Sequence, residues 1–341
     1  MIPDQWYVLL ESDELKRQPV GVTRMGEKMV FWRDGDGKVI CMPDRCCHRG
    51  IELSTGKVLD NGRLQCPFHG FEYDASGKVV VIPANGMTAP VPRAFHVPPY
   101  PTHEAQGFIW VWWGHNPPEN LAAPQWFADI DESLYYKTAH DPWDTHYSRV
   151  IENQLDVVHV PFIHHNTIGR GNRTLVEGPG LEWVGPDAFN LYSYNKLDDG
   201  SRPRTPEEVP VPNPDHDFRL EFIFPNLWEN HISDKMRAVI AFVPVDETHT
   251  RIYLRVYQKI VTLPVLRDIF GYLLLPANIF VAHQDRRVVN THQPPASALR
   301  MSEQLIRGDR AIIEYRRRRQ ELMNAARSAE QKSEARAVPD P

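Results

Sequence analysis

From Trp6 to about residue 113 the apolar and polar positions alternate in short runs, among them Lys28–Trp32, Val39–Met42, Leu64–Cys66 and Val79–Ile82. Turn-formers such as Asp34-Gly35-Asp36-Gly37 and Ser76-Gly77 separate them. A period of two between such turns predicts half-buried strands in a small β-rich module. Phe108–Trp113 closes this stretch as a further strand, whose aromatic residues are expected in the core. The segment from His115 to Asn120 predicts a linker. Beyond it, Arg219–Ile223, Arg237–Val243 and Thr250–Gln258 predict antiparallel strands, with Asp246, Glu247 and Thr248 as a turn between the last two. An apolar run over 262–282 predicts a buried helix leading into Asp285, and Arg267, Asp268 and Pro276 interrupt it too often for a membrane span. A last helix is expected over 301–327, and a surface loop over the Pro- and Asp-rich stretch 199–216. The pattern is α+β. Its expected divisions are a β-rich domain over 1–118, a second domain of strands and helices over 119–330, and a polar tail over 331–341.

Composition narrows the class. A chain of 341 residues has room for two domains, and a net charge of −6 gives no reason to expect a nucleic-acid partner. The basic run Arg316–Arg319 is accordingly expected to be a solvated helix face. Four cysteines argue against a disulfide framework and fit a reducing compartment. The opening residues lack a basic segment followed by an apolar one, so no export signal is expected and the expected location is cytoplasmic.

The candidate chemistry begins at Cys46, Cys47 and His48, and resumes at Cys66, Pro67, Phe68 and His69. Written as C-x-H and C-x-x-H, each half offers one thiolate and one imidazole. That donor set matches a Rieske [2Fe–2S] centre, with Cys46 and Cys66 on one iron and His48 and His69 on the other. Neutral imidazoles in place of two thiolates remove negative charge and raise the cluster potential. Gly50 and Gly70 follow the two halves, where tight turns would aim backbone amides at the cluster sulfurs. Zinc is the rival for a Cys₂His₂ set, but zinc fingers place both cysteines before the histidines.

A second constellation lies in residues 151–166. Asn153, Asp156 and His159 fall at i, i+3 and i+6, along one face of a short helix. Pro161 is expected to turn the chain after about His159, letting His164 swing back towards the same point. Two such histidines suit a mononuclear metal, and a distant carboxylate would complete a two-His-one-carboxylate triad for non-haem Fe(II). Asp285 is the best candidate for that carboxylate. Asn230 and His231 are candidates for substrate contact, with a solvated strand end as the alternative.

With these motifs in this order, the chain resembles the terminal oxygenase (alpha) component of the Rieske non-haem iron oxygenases, of the vanillate O-demethylase and dicamba monooxygenase type. The resemblance covers nearly the whole chain. It implies that His159, His164 and Asp285 hold the iron, that Asp156 bridges the two metal centres, and that Asn153 is a polar neighbour of the iron. It also implies a helix-grip catalytic domain and a ring of three subunits, in which His48 or His69 of one chain meets Asp156 of the next. Cys47 and His165 depart from the usual pattern; the spacings favour Cys46 and His164 as the ligands. The implied activity is O₂-dependent hydroxylation, or O- or N-demethylation, of an aromatic or polycyclic small molecule. A ring cis-dihydroxylating dioxygenase, a pure Rieske electron carrier and a zinc-stapled lipid-binding module remain alternatives. No GxGxxG follows a strand and no plant-type ferredoxin motif is present, so electrons would come from a separate NAD(P)H-dependent reductase, with or without a ferredoxin.

Overall fold

The computed structural model describes residues 1–114, 117–212 and 218–337. The expected linker positions His115 and Asn116, residues 213–217 of the expected loop and residues 338–341 of the tail lie outside this description. The chain divides into two units, Met1–Pro124 with Pro244–Asp246, and Gln125–Val243 with Glu247–Pro341.

Among its described residues the first unit has ten strands. β1 (Gln5–Glu11) pairs with β10 (Phe108–Trp113), which pairs with β9 (Thr102–Ala105). β2 (Val20–Arg24), β3 (Glu27–Arg33) and β4 (Val39–Pro43) form a second sheet. The very short β5 (Lys57–Val58), β6 (Leu64–Gln65), β7 (Glu72–Tyr73) and β8 (Val79–Val81) form a third. The period-two runs are strands because their alternate residues have a core to enter: Val30, Trp32, Ile40, Met42, Leu64 and Tyr73 are buried together. In the aromatic β10, Phe108–Val111 are buried as expected.

The second unit carries a seven-stranded antiparallel sheet. It is formed by β11 (Tyr135–Trp143), β12 (Leu175–Gly185), β13 (Ala188–Lys196), β14 (Arg219–Ile223), β15 (Leu227–Ser233), β16 (Met236–Pro244) and β17 (Thr250–Gln258), in the order β11-β17-β16-β15-β14-β13-β12. Its helices are α1 (Tyr147–Leu155), α2 (Val160–Ile163), α3 (Pro264–Val289) and α4 (Arg310–Ala337). Register assigns the faces. Phe222 lies opposite Trp228, and Phe222 and Phe224 pack on Tyr315 of α4, so their face of the sheet is the helix-covered one. Asn230 shares that face with Trp228, whereas His231 points to the opposite face. The α+β order expected from the pattern is the one the chain adopts.

Four expectations differ from the structure. The helix does not run through His159: α1 stops at Leu155, with Asp156 extended (φ −78°, ψ 120°) at its C-cap. The Asp156 carboxylate instead accepts hydrogen bonds from the N–H groups of Val158 (2.6 Å) and His159 (3.2 Å), a local alternative that lets aspartate compete with the helix. Pro161 then sits in the first turn of α2, where its missing N–H has no cost. Second, α3 is not buried. Only Gly271, Asp285 and Val289 are, because one face packs on β11 and β17 while the other, equally apolar, is largely exposed among the described residues. Val265, Leu266, Ile269, Tyr272, Leu273 and Phe280 are each more than half exposed. By length and composition alone this helix could cross a membrane. Third, the last helix spans Arg310–Ala337 rather than 301–327. Fourth, Arg316 is not solvated: its guanidinium is buried and donates to Glu152 of α1 (2.6 and 3.0 Å) and to Glu303 (2.7 Å), tying α4 to α1.

Candidate metal centres

In the first unit the two half-motifs fold into matching turns. The Gly50 N–H donates to the Cys46 carbonyl at 2.9 Å and the Cys46 N–H donates to Ile51 at 2.8 Å; Gly70 to Cys66 at 3.1 Å and Cys66 to Phe71 at 2.8 Å repeat the pattern. Gly50 (φ +74°) and Gly70 (φ +73°) take the left-handed conformation these turns require. Cys46 and Cys66 are buried, while Cys47 is exposed and its sulfur lies 3.2 Å from the Tyr73 hydroxyl. The Tyr73 hydroxyl also lies 3.1 Å from Cys46 Sγ. Tyr73 gave no sequence signal as a site residue, since an aromatic in a short strand is ordinarily core. His48 and His69 are exposed, with ring centroids 4.8 Å apart, and His48 stacks on Phe71.

These groups suit an iron–sulfur cluster. Burial raises the Cys66 thiol; the Phe68 N–H lowers it, the adjacent Cys46 sulfur raises it again, and the net value is above normal. A buried Cys66 sulfur that resists ionisation loses that cost when a metal supplies positive charge.

In the second unit, His159, His164 and Asp285 offer ligand atoms that all lie within 4.8 Å of one another. His164 Nε2 is 2.9 Å and His159 Nε2 3.4 Å from the same Asp285 Oδ1. His164 and Asp285 are buried. Burial lowers the His164 pKa, but Asp285 and Gln284 outweigh it and leave it raised. Asp285 Oδ1 is buried with no conventional hydrogen bond, and no lysine or arginine pairs with Asp285 among the described residues. Two imidazoles converging on one unsatisfied carboxylate oxygen form a donor set for a divalent transition metal.

The surroundings hold the triad in place. Burial opposes ionisation of Asp156, but His159 and the N–H groups of Val158 and His159 keep its carboxyl below the usual range. Its Oδ2 lies 3.7 Å from His159 Nδ1, a buried atom with no hydrogen-bond partner. Asn153 is on α1, with its amide nitrogen buried and unpartnered. On β11, buried Asp141 accepts from Trp143 Nε1 (2.8 Å), His283 Nε2 (3.1 Å) and Arg286 Nη1 (2.8 Å), so it grips the α3 turn on both sides of Asp285. Sequence reasoning missed Asp141; nothing local marks it.

A second cluster, Asp129, Glu229 and His231, also meets the spacing of a metal site. It lies on the sheet face away from the helices, and its cations are already present. Arg219 (2.9 Å) and Arg237 (3.0 Å) both pair with Asp129, and Arg237 lies 3.2 Å from Glu229. His231, considered for substrate contact, is instead bound into this network at 2.7 Å from Asp129. Burial, with Asp129 and Glu221 nearby, pushes Glu229 up to about 8, and burial pushes the facing Glu221 up to about 7. Both carboxyls thus hold protons that the unfolded chain releases near pH 4.3. Stability is therefore expected to fall as pH rises from about 4.5 to 8, by up to about 1.4 kcal/mol per pH unit for each such proton. Glu229→Gln should flatten the upper part of that slope in thermal melts. An unchanged pH profile would show that Glu229 does not titrate there.

Comparison with known proteins places this geometry. Residues 5–101 match the Rieske [2Fe-2S] domain model. Residues 143–325, more than half of the chain, match the vanillate O-demethylase oxygenase C-terminal domain. Methylxanthine N1-demethylase NdmA of Pseudomonas putida is 29% identical, with 96% of this chain and 90% of that protein aligned. Its solved structure superposes with a TM-score of 0.77 at 24% identity, covering 95% of this chain and 92% of that one. Protein TIC 55 of Arabidopsis thaliana is 35% identical over 48% of this chain, and the chain spans only 31% of its length. Other curated relatives are likewise matched over less than half their length. A β-rich first unit and a sheet-and-helix second unit thus correspond to these two domain models. The chain belongs to the family of the vanillate O-demethylase oxygenase C-terminal domain, preceded by a Rieske [2Fe-2S] domain.

Proposed function

We propose that the chain is the terminal oxygenase of a multicomponent system that hydroxylates, or O- or N-demethylates, an aromatic or polycyclic small molecule. The observation that carries this reading is the convergence of His159, His164 and Asp285 in a chain that also has a Rieske domain. An electron carrier needs no second metal centre. Cys46, Cys66, His48 and His69 would hold the [2Fe–2S] cluster, and His159, His164 and Asp285 the Fe(II). When bound, the cluster supplies single electrons and the iron supplies open positions for O₂. Asp156 would orient His159 and offer a carboxylate for His48 or His69 of a neighbouring subunit, and Asn153 would be a polar neighbour of the iron. Two relatives are named as an oxygenase component and an oxygenase subunit, which supports a separate NAD(P)H-dependent reductase, with or without a ferredoxin, as partner. Demethylation is favoured by the names of the relatives: a methylxanthine N-demethylase, dicamba O-demethylase and vanillate O-demethylase.

A homotrimer fits the apolar face of α3. Its large exposed side chains, at roughly 100 Å² apiece, leave an apolar patch at or above the 300–600 Å² largest patch of typical monomers. A second copy of the chain would cover it. Metal analysis tests the central claim: the purified protein should be red-brown, with about three iron atoms per chain and no zinc. Asp285→Ala should lower the iron to about two while leaving the cluster spectrum intact. Zinc in place of iron, or two irons per wild-type chain, would overturn the oxygenase reading.

A further inference from the structure

Four consecutive residues at the end of α3 make three different contacts: His283 and Arg286 grip Asp141, Asp285 joins the triad, and Gln284 reaches His164. We infer that Gln284 is the positioning residue that sets the tautomer and aim of His164. The inference rests on the reading of His159, His164 and Asp285 as a metal site.

The hydrogen bonds around Gln284 point its oxygen at His164. The Gln284 amide nitrogen donates to Asn166 Oδ1 at 2.6 Å, which orients the amide so that its oxygen faces His164. Thr167 Oγ1 donates to that oxygen at 2.8 Å. His164 Nδ1 lies 2.9 Å from the same Gln284 Oε1, and a carbonyl oxygen only accepts, so Nδ1 carries the proton. The neutral ring then has its lone pair on Nε2, the atom 2.9 Å from Asp285. Metal-binding histidines are generally held this way, by an acceptor on the nitrogen that does not bind metal. His159 has Asp156 near its Nδ1; among the described residues it is the neutral amide of Gln284, not a carboxylate, that meets His164 Nδ1. Gln284 and Asp285 are adjacent on one helix, so the residue that would bind metal and the residue that aims its partner move as one body.

Equilibrium dialysis of the cluster-containing protein against graded Co(II), after removal of mononuclear iron, tests this without turnover. The wild type should take up one Co(II) per chain in a His164-dependent manner, with His164→Ala abolishing it. Gln284→Met keeps the length but removes the acceptor, and should weaken Co(II) binding about 10–100-fold while the cluster spectrum is unchanged. Gln284→Glu restores an acceptor and should return the affinity to wild-type or tighter. Wild-type affinity in Gln284→Met, or equal weakening in both variants, overturns the inference, since packing alone would then explain it. Co(II) uptake that survives His164→Ala would instead overturn the metal-site reading, and the inference with it.

Discussion

His69→Ala is expected to abolish the visible absorption of the Rieske cluster and the EPR signal of its reduced form, and with them all turnover. The second iron would lose one of its two neutral ligands, and the neighbouring ring, His48, is itself expected to be a ligand and so gives no replacement. Misfolding is not the expected cause. The His69 side chain is exposed and packs on Phe68, so its removal opens no core cavity, and the backbone turn from Cys66 to Gly70 does not depend on it. The far-ultraviolet circular dichroism should match wild type, and Co(II) should still bind at the second centre. A normal Rieske spectrum from the variant would show that the ligand assignment is wrong.

Asp156→Asn is expected to cost more than about 100-fold in turnover while both metals stay bound, beyond the usual cost of losing an orienting partner. The structure makes the substitution selective. Asp156 Oδ1 accepts from Val158 and His159 N–H, and an asparagine carbonyl does the same, so the bend that breaks the helix is retained. The change falls on Oδ2, which faces His159 Nδ1 and becomes an amide that cannot accept its proton. Dithionite should still reduce the cluster, and single-turnover assays should show electrons stranded there. Near-wild-type turnover would remove Asp156 from the electron path. Loss of mononuclear iron would make it a support for His159 alone.

Much of both centres was legible because their parts are close in sequence. Cys46, His48 and Gly50 belong to one turn, and Cys66, His69 and Gly70 to another, so residue type and spacing nearly define the local geometry. Asn153, Asp156, His159 and His164 were legible for the same reason, although the helix expected to carry them is broken at Asp156. Helical spacing cannot show that a carboxylate will bind backbone N–H groups two and three residues ahead and stop the helix.

The sequence by itself determined the donor types and their order along the chain, the α+β order of the elements and most of the strands named from it. What only the tertiary structure decided are the contacts made at long range. Asp285 is brought onto His159 and His164, and Gln284 onto His164, by the packing of α3 on β11 and β17. Asp141 grips that helix from a strand more than a hundred residues earlier, and Arg316 turns inward because Glu152 and Glu303 await it. Asn230 and His231 part company because neighbours on a strand face opposite sides, and only the register says which side the helices cover. An apolar run shows that a helix will shed water on every face, but not which surface will cover it; in α3 the chain supplies its own sheet for one face, and the other is exposed among the described residues.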